Sequence, residues 1–236
     1  MVLGAVLSCA LVAPAAAEVQ FSAYLGANFT HSSDVTLARP GGTNAKFSNV
    51  PWDGNSFKMP PYWGLRFTYW LESIPNLGFG VDYTHAKVYA KLGNTVPASG
   101  TVGGVPIGPN VRLGNIFQRL EFTDGLNLVT AHAFYRYPMG GRLTPYLGVG
   151  VGAAIPHVEV TMAGYPITFQ YELTGIAARL YGGVDVAIIN GWSLFGEYQF
   201  SYAQVRNASL TGGGTLSTDL LSHHFNLGVS YAFKPF

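Results

Sequence analysis

From Val19 the chain alternates in steps of two, with Val19, Phe21, Ala23, Leu25, Ala27 and Phe29 on one face and Gln20, Ser22, Tyr24, Gly26, Asn28 and Thr30 on the other. A strand sends successive side chains to opposite faces, so this segment reads as a strand with an apolar side and a polar side. The same period recurs in residues 62–71, 79–84, 127–137, 146–155, 176–186, 194–202 and 224–233. The clearest case sets Leu147, Val149, Val151, Ala153 and Ile155 against Tyr146, Gly148, Gly150, Gly152 and Ala154. Beyond the N-terminal stretch no apolar run approaches the roughly 18 residues a spanning helix needs. A chain of this kind can cross a membrane only as a closed barrel, which satisfies every backbone polar group in lipid.

Composition supports that reading. Only 11% of the 236 residues are charged, against about 25% in soluble proteins, as expected if most of the surface faces lipid. Thirteen basic and twelve acidic residues leave a net charge of +1, so there is no basic field for nucleic acid. Thirty Gly, fourteen Pro, fourteen Tyr and fifteen Phe disfavour helices and favour strands and turns. The connections alternate in length: 32–56 then 72–77, 92–115 then 139–143, a medium loop at 162–168, the tight 189–191, and a Gly-rich loop at 206–219. Seven connections join eight strands. The expected fold is all-β, an eight-stranded antiparallel up-and-down transmembrane β-barrel with short periplasmic turns and long extracellular loops. It sits in the bacterial outer membrane with both termini in the periplasm. A soluble lipocalin-like barrel would turn its apolar face inward and its charge outward.

Residues 1–17 read as a secretory signal peptide, closed by Ala15-Ala16-Ala17. Such a peptide ordinarily opens on Lys or Arg, which is missing here, so the expectation is a truncated or misassigned start. The only cysteine, Cys9, falls in this segment, so residues 18–236, the barrel domain, hold no thiol for disulfides, nucleophilic catalysis or Cys-based metal sites. The C-terminal aromatic strand resembles the signal read by the barrel-assembly machinery, with Phe236 out of phase with Phe233.

Arg66, Arg136 and Arg179 share the inward phase with Asp82, Asp185 and Glu197. An Arg on the lipid face would cost roughly 2–4 kcal/mol at midplane, so this set is expected to form a structural ion-pair plug in the lumen. Glycines at 148, 150, 152 and 183 make room for it. The Gly148-to-Gly152 stretch lacks the turn into a helix that a nucleotide-binding loop needs, so no nucleotide cofactor is expected.

A second polar set gathers where strands reach the extracellular side: His85, Lys87, Glu121, Thr123, Asp124, His157, Glu159 and Glu172. His157 and Glu159, two apart on a strand, point the same way and could share a divalent ion or a sugar hydroxyl. Mixed His/carboxylate sites with open positions suit redox metals that activate oxygen, so His157, Glu159, His85 and Glu121 are candidate ligands of a divalent or redox metal. Ser222, His223 and His224 do not make a hydrolase, because neighbours on a strand point to opposite faces.

The strings SFKMPPYWGLR (56–66), THAKVYA (84–90), LEFTDGLN (120–127), TPYLGVGVGAAIPHVEV (144–160), YELTG (171–175), FGEYQ (195–199), GGGTLSTDLL (212–221) and NLGVSY (226–231) resemble the rhizobial lipid A oxidase family of outer-membrane barrels. The resemblance covers nearly the whole chain after the signal segment. It implies oxygen-dependent oxidation of the proximal glucosamine of lipid A to 2-aminogluconate, with peroxide as co-product and outer-leaflet lipid A as partner. It brings no catalytic residues with it. On strand geometry, His85, Glu121, Asp124, His157 and Glu159 are expected to hold a metal or move protons, and Lys87 and Arg119 to meet lipid A phosphate or carboxylate groups. The alternative is a non-enzymatic small barrel with a structural, adhesive or small-solute transport role.

Overall fold

A two-faced strand leaves its backbone groups unpaired at a sheet edge, and in lipid only ring closure removes that edge. The computed structural model describes residues 17–234 and closes such a ring. The signal-peptide reading with Cys9 and the out-of-phase Phe236 fall outside the described residues. The ring strands are β1 (Glu18–Thr30), β2 (Trp63–Trp70), β3 (Leu77–Ala90), β4 (Phe117–Arg136), β5 (Leu143–Met162), β6 (Gly175–Ile189), β7 (Trp192–Ser209) and β8 (Thr215–Phe233). Each pairs antiparallel with the next, and β8 returns to β1 from Val19 opposite Phe233 to Thr30 opposite Ser222. Phe21, Leu25, Phe29, Leu147, Val149, Val151 and Leu180 are exposed on the outer wall while Thr68, Asp82, Arg179 and Glu197 are buried inside. The faces fall as the alternation predicts. Asn190 and Gly191, at φ 47° and 82°, turn β6 into β7, the left-handed pair a two-residue hairpin requires.

The long connections differ from expectation. The strands do not stop at the membrane: β4 and β5 each run 20 residues, about twice the 9–11 that cross a bilayer. Most of 206–219 is strand, leaving only residues 210–214 as connection. The two longest loops carry strands Ser33–Arg39, Thr43–Val50 and Thr95–Val102, which extend the sheet outward from β8. Above the lipid band the outer wall meets water, and the inward face accordingly becomes apolar. Leu120, Phe122, Val158, Val160, Val35 and Phe47 pack there in one buried core.

Below that core lies the polar layer. Arg66 donates from Nε to Asp82 at 2.6 Å and bidentately to Glu197 at 2.8 and 2.7 Å. Arg179 binds the other oxygen of Asp82, and Tyr24 and Tyr146 donate to Asp82 and Glu197. A side chain at Gly183 would collide with the Tyr146 ring and one at Gly150 would crowd Tyr181, the kind of room expected of them, whereas Gly148 makes room for Phe134 and Gly152 for the β4 backbone. The plug nonetheless has four charged members instead of six. Arg136 leaves it for the terminal end, where it pairs with Glu18 and lies 4.2 Å over the Trp70 ring. Asp185 accepts from Ser193 and forms no ion pair among the described residues. Arg136 is the last residue of β4, where inward phase no longer means the middle of the lumen, while Asp185 lies within β6 and shares a small cavity with Arg66.

Candidate functional site

Between Glu121 and Leu126 β4 takes five residue steps where β5 takes three, from Glu159 to Pro156. The same irregularity faces β3. This bulge turns on Gly125, whose φ of 122° suits only glycine. The two extra residues throw Thr123 and Asp124 onto the outer wall beside His157 and Glu159, which share the outward phase of β5.

Glu159 is the hub of the cluster. Its Oε1 accepts from Thr123 Oγ1 at 2.7 Å, His157 Nδ1 at 3.0 Å and the Asp124 backbone N–H at 3.3 Å. Its Oε2 accepts from Arg119 Nη1 at 2.6 Å. Arg119 forks to Glu121 as well, Nε to Oε1 at 3.1 Å, and Glu121 stands directly opposite Glu159 in register. The short strand Thr168–Tyr171 pairs with β5 and walls the site. Its Phe169 and Tyr171 rings lie 4.2 and 4.5 Å from the His157 ring, and Tyr171 donates to the Asp124 carbonyl at 2.7 Å.

The two carboxylates are driven apart. Burial and the neighbouring Glu159 raise the Glu121 carboxyl above the usual carboxylate range, with Arg119 opposing. Burial would raise Glu159 too, but hydrogen bonds from Thr123, His157, Arg119 and the Asp124 backbone outweigh it and hold Glu159 below that range. A pair of acids split in this way divides into a proton carrier and a fixed anion. Nδ1 is the His157 nitrogen that faces both carboxylates, 3.0 Å from Glu159 and 3.8 Å from Asp124, so a metal held there would take the place of a proton shared between His157 and Glu159.

Asp124, His157 and Glu159 offer one ligand atom each within 4.8 Å of one another. One imidazole nitrogen and two carboxylate oxygens suit a divalent first-row metal, so the donor set fits the expected ion. Its membership differs from the expected set, for two of the four candidates stand outside. Glu121 is held by Arg119. His85 bonds Asn127 at 3.0 Å and lies against Trp63 on β2. Lys87 is also displaced from its expected role: fully buried, it donates to the carbonyls of Lys58 at 2.7 Å and Asn55 at 3.3 Å and pins the loop before β2. Glu172 caps Ser209. Tyr171 and Phe169 escaped the sequence reading because they belong to a short strand off the ring, while Thr123 stood in the polar set without a role. The one available signal was Asp124-Gly125 inside a strand pattern.

The outer membrane protein beta-barrel domain family matches residues 2–233. The chain belongs to that family and is a β-barrel of the bacterial outer membrane. Among solved structures it is similar to neisserial surface protein A, at 17% identity and TM-score 0.47 over 92% of this chain and 97% of that one. It is similar also to OprG of Pseudomonas aeruginosa, at 16% identity and TM-score 0.43 over 94% and 98%. None of the curated proteins matches.

Proposed function

We propose that this barrel is a lipid A oxidase that works on its outer wall and not through its lumen. The observation that carries the reading is the side the site faces. Glu121, Asp124, His157 and Glu159 gather on the outward side above the apolar residues Val149, Val151 and Ile176 that face lipid. Glu121 and Asp124 are partly exposed, and His157 and Glu159 are buried behind Phe169 and Tyr171. With the loop end outside the cell, that height is the headgroup layer of the outer leaflet, where the glucosamine units of lipid A lie.

The chemistry to be supplied is the oxidation of a sugar hemiacetal at C1 by dioxygen. C1 loses its hydrogen and the electrons of that C–H bond, its hydroxyl loses a proton, and dioxygen takes two electrons and two protons to become hydrogen peroxide. Water then opens the lactone to the aldonate. Glu121 is placed to take the hydroxyl proton. Arg119 neutralises Glu159 and presents a cation to an acidic product or a phosphate. The aromatic wall of Phe169 and Tyr171 excludes water and offers a face to the sugar ring. Asp124, His157 and Glu159 would hold a redox metal, which supplies the one-electron steps that ground-state dioxygen requires.

The test is purified protein, air and lipid A with a free reducing end. The expected product carries one added oxygen by mass spectrometry, with peroxide released and both lost in His157→Ala/Glu159→Ala. No mass change with aerobic, metal-supplemented protein overturns the proposal, as does full activity in the double variant.

A further inference from the structure

Across the ring from this site, at the seam of β8 and β1, two histidines face each other. His31, just past the end of β1, and His223 of β8 bring their Nε2 atoms to 2.8 Å. His31 is exposed and His223 half-buried. The His31 backbone and the His223 ring are fixed. The His31 backbone N–H donates to Leu221 at 2.9 Å, fixing its position against β8. On the far side of the His223 ring, Nδ1 meets the Tyr198 hydroxyl of β7 at 2.7 Å, and the ring lies 5.2 Å from that of Phe200.

We propose that His31 and His223 form a metal site selective for copper(II), separate from the cluster at Glu159. That contact is a hydrogen bond between the two rings, so one Nε2 carries the shared proton, and a metal that displaces it finds both imidazole nitrogens side by side. A small swing of exposed His31 aims both lone pairs at one point on the open side of the pair, leaving the remaining positions to water. Tyr198 completes the arrangement, because an imidazole that ligates through Nε2 keeps its proton on Nδ1 and donates it to a fixed partner. An imidazole pair favours copper(II), then nickel(II), over zinc(II) in intrinsic affinity.

Folded, detergent-solubilised protein with His157→Gln, which removes the imidazole of the other cluster, is titrated with copper(II), nickel(II) or zinc(II) salts. The expected result is one tight copper equivalent whose electron paramagnetic resonance spectrum shows coupling to two imidazole nitrogens, with nickel and zinc at least tenfold weaker. His31→Gln and His223→Gln each abolish the signal, and Tyr198→Phe weakens copper binding about tenfold. The proposal is overturned if the two-nitrogen signal survives in His31→Gln, whose exposed side chain leaves folding undisturbed, or if zinc binds as tightly as copper.

Discussion

Two glutamates facing each other across β4 and β5 respond to acid in opposite senses. Glu159 is ionised more easily in the folded protein than in the unfolded chain. Its contribution to stability is therefore present above the ordinary carboxylate range near about 4.3 and is lost as pH falls through the lower folded value. Glu121 is the reverse: its folded value is raised, so its contribution is present below the ordinary range and is lost as pH rises through the folded value. Glu159→Gln removes a buried anion that accepts four hydrogen bonds, one from an arginine. It is expected to cost about 1.5–3 kcal/mol at pH 7 and less at about pH 3, below the ordinary carboxylate range. Glu121→Gln should be neutral or stabilising at pH 7, because it relieves the repulsion with Glu159. Urea unfolding in detergent at the two pH values, followed by tryptophan fluorescence, reads both. A Glu159→Gln cost that grows with acidity would contradict the assignment.

The bulge in β4 is the element on which the site depends. A Cβ on Gly125 would meet Asn127 Oδ1 at 2.3 Å and His85 Nδ1 at 2.6 Å, on a backbone at φ 122°. Gly125→Ala is thus expected to cost about 1–3 kcal/mol through strain while leaving the ring pairing intact. Relaxing that strain pulls Thr123 and Asp124 away from Glu159, so lipid A oxidation should fall more than tenfold in a variant that still folds. Undiminished activity in Gly125→Ala would show that the bulge does not position the site. This element also marks where the sequence stops being legible. Period-two alternation reports the ring because lipid outside and polar groups inside impose it along the part of each ring strand that crosses the lipid band. His157 and Glu159 are legible for the same reason, being two apart on one strand. The bulge is not, because it breaks the period: Asp124 reads as a residue before the strand, and its approach to His157 depends on where β4 slips against β5. Lys87 is misread for a different reason. Its phase is outward as expected, but the loop that covers it is set by long-range packing.

At the scale of the whole molecule the barrel is closed twice. The lower lumen is filled by Arg66, Asp82, Arg179 and Glu197, and the upper by the apolar core around Phe122, Val158 and Phe47. An eight-stranded ring has an interior its own side chains can fill, and here two kinds of filling do so at two heights. The lower layer follows from alternation and the cost of charge in lipid. The upper layer needs the loops, whose strands carry the apolar residues that complete it. The layers are expected to close the barrel independently. Arg66→Met with Glu197→Gln removes the bidentate pair without leaving one charge stranded, which would cost about 3–5 kcal/mol. It opens at most the lower layer, because Leu120, Phe122 and Val160 still seal the loop end. In planar bilayers neither the wild-type barrel nor this double variant should conduct ions. Steady single-channel steps from the double variant would mean that the plug alone separates the two sides and that the apolar layer is permeable. Steps from the wild type would favour a solute-transport role and remove the reason for placing the chemistry on the outer wall.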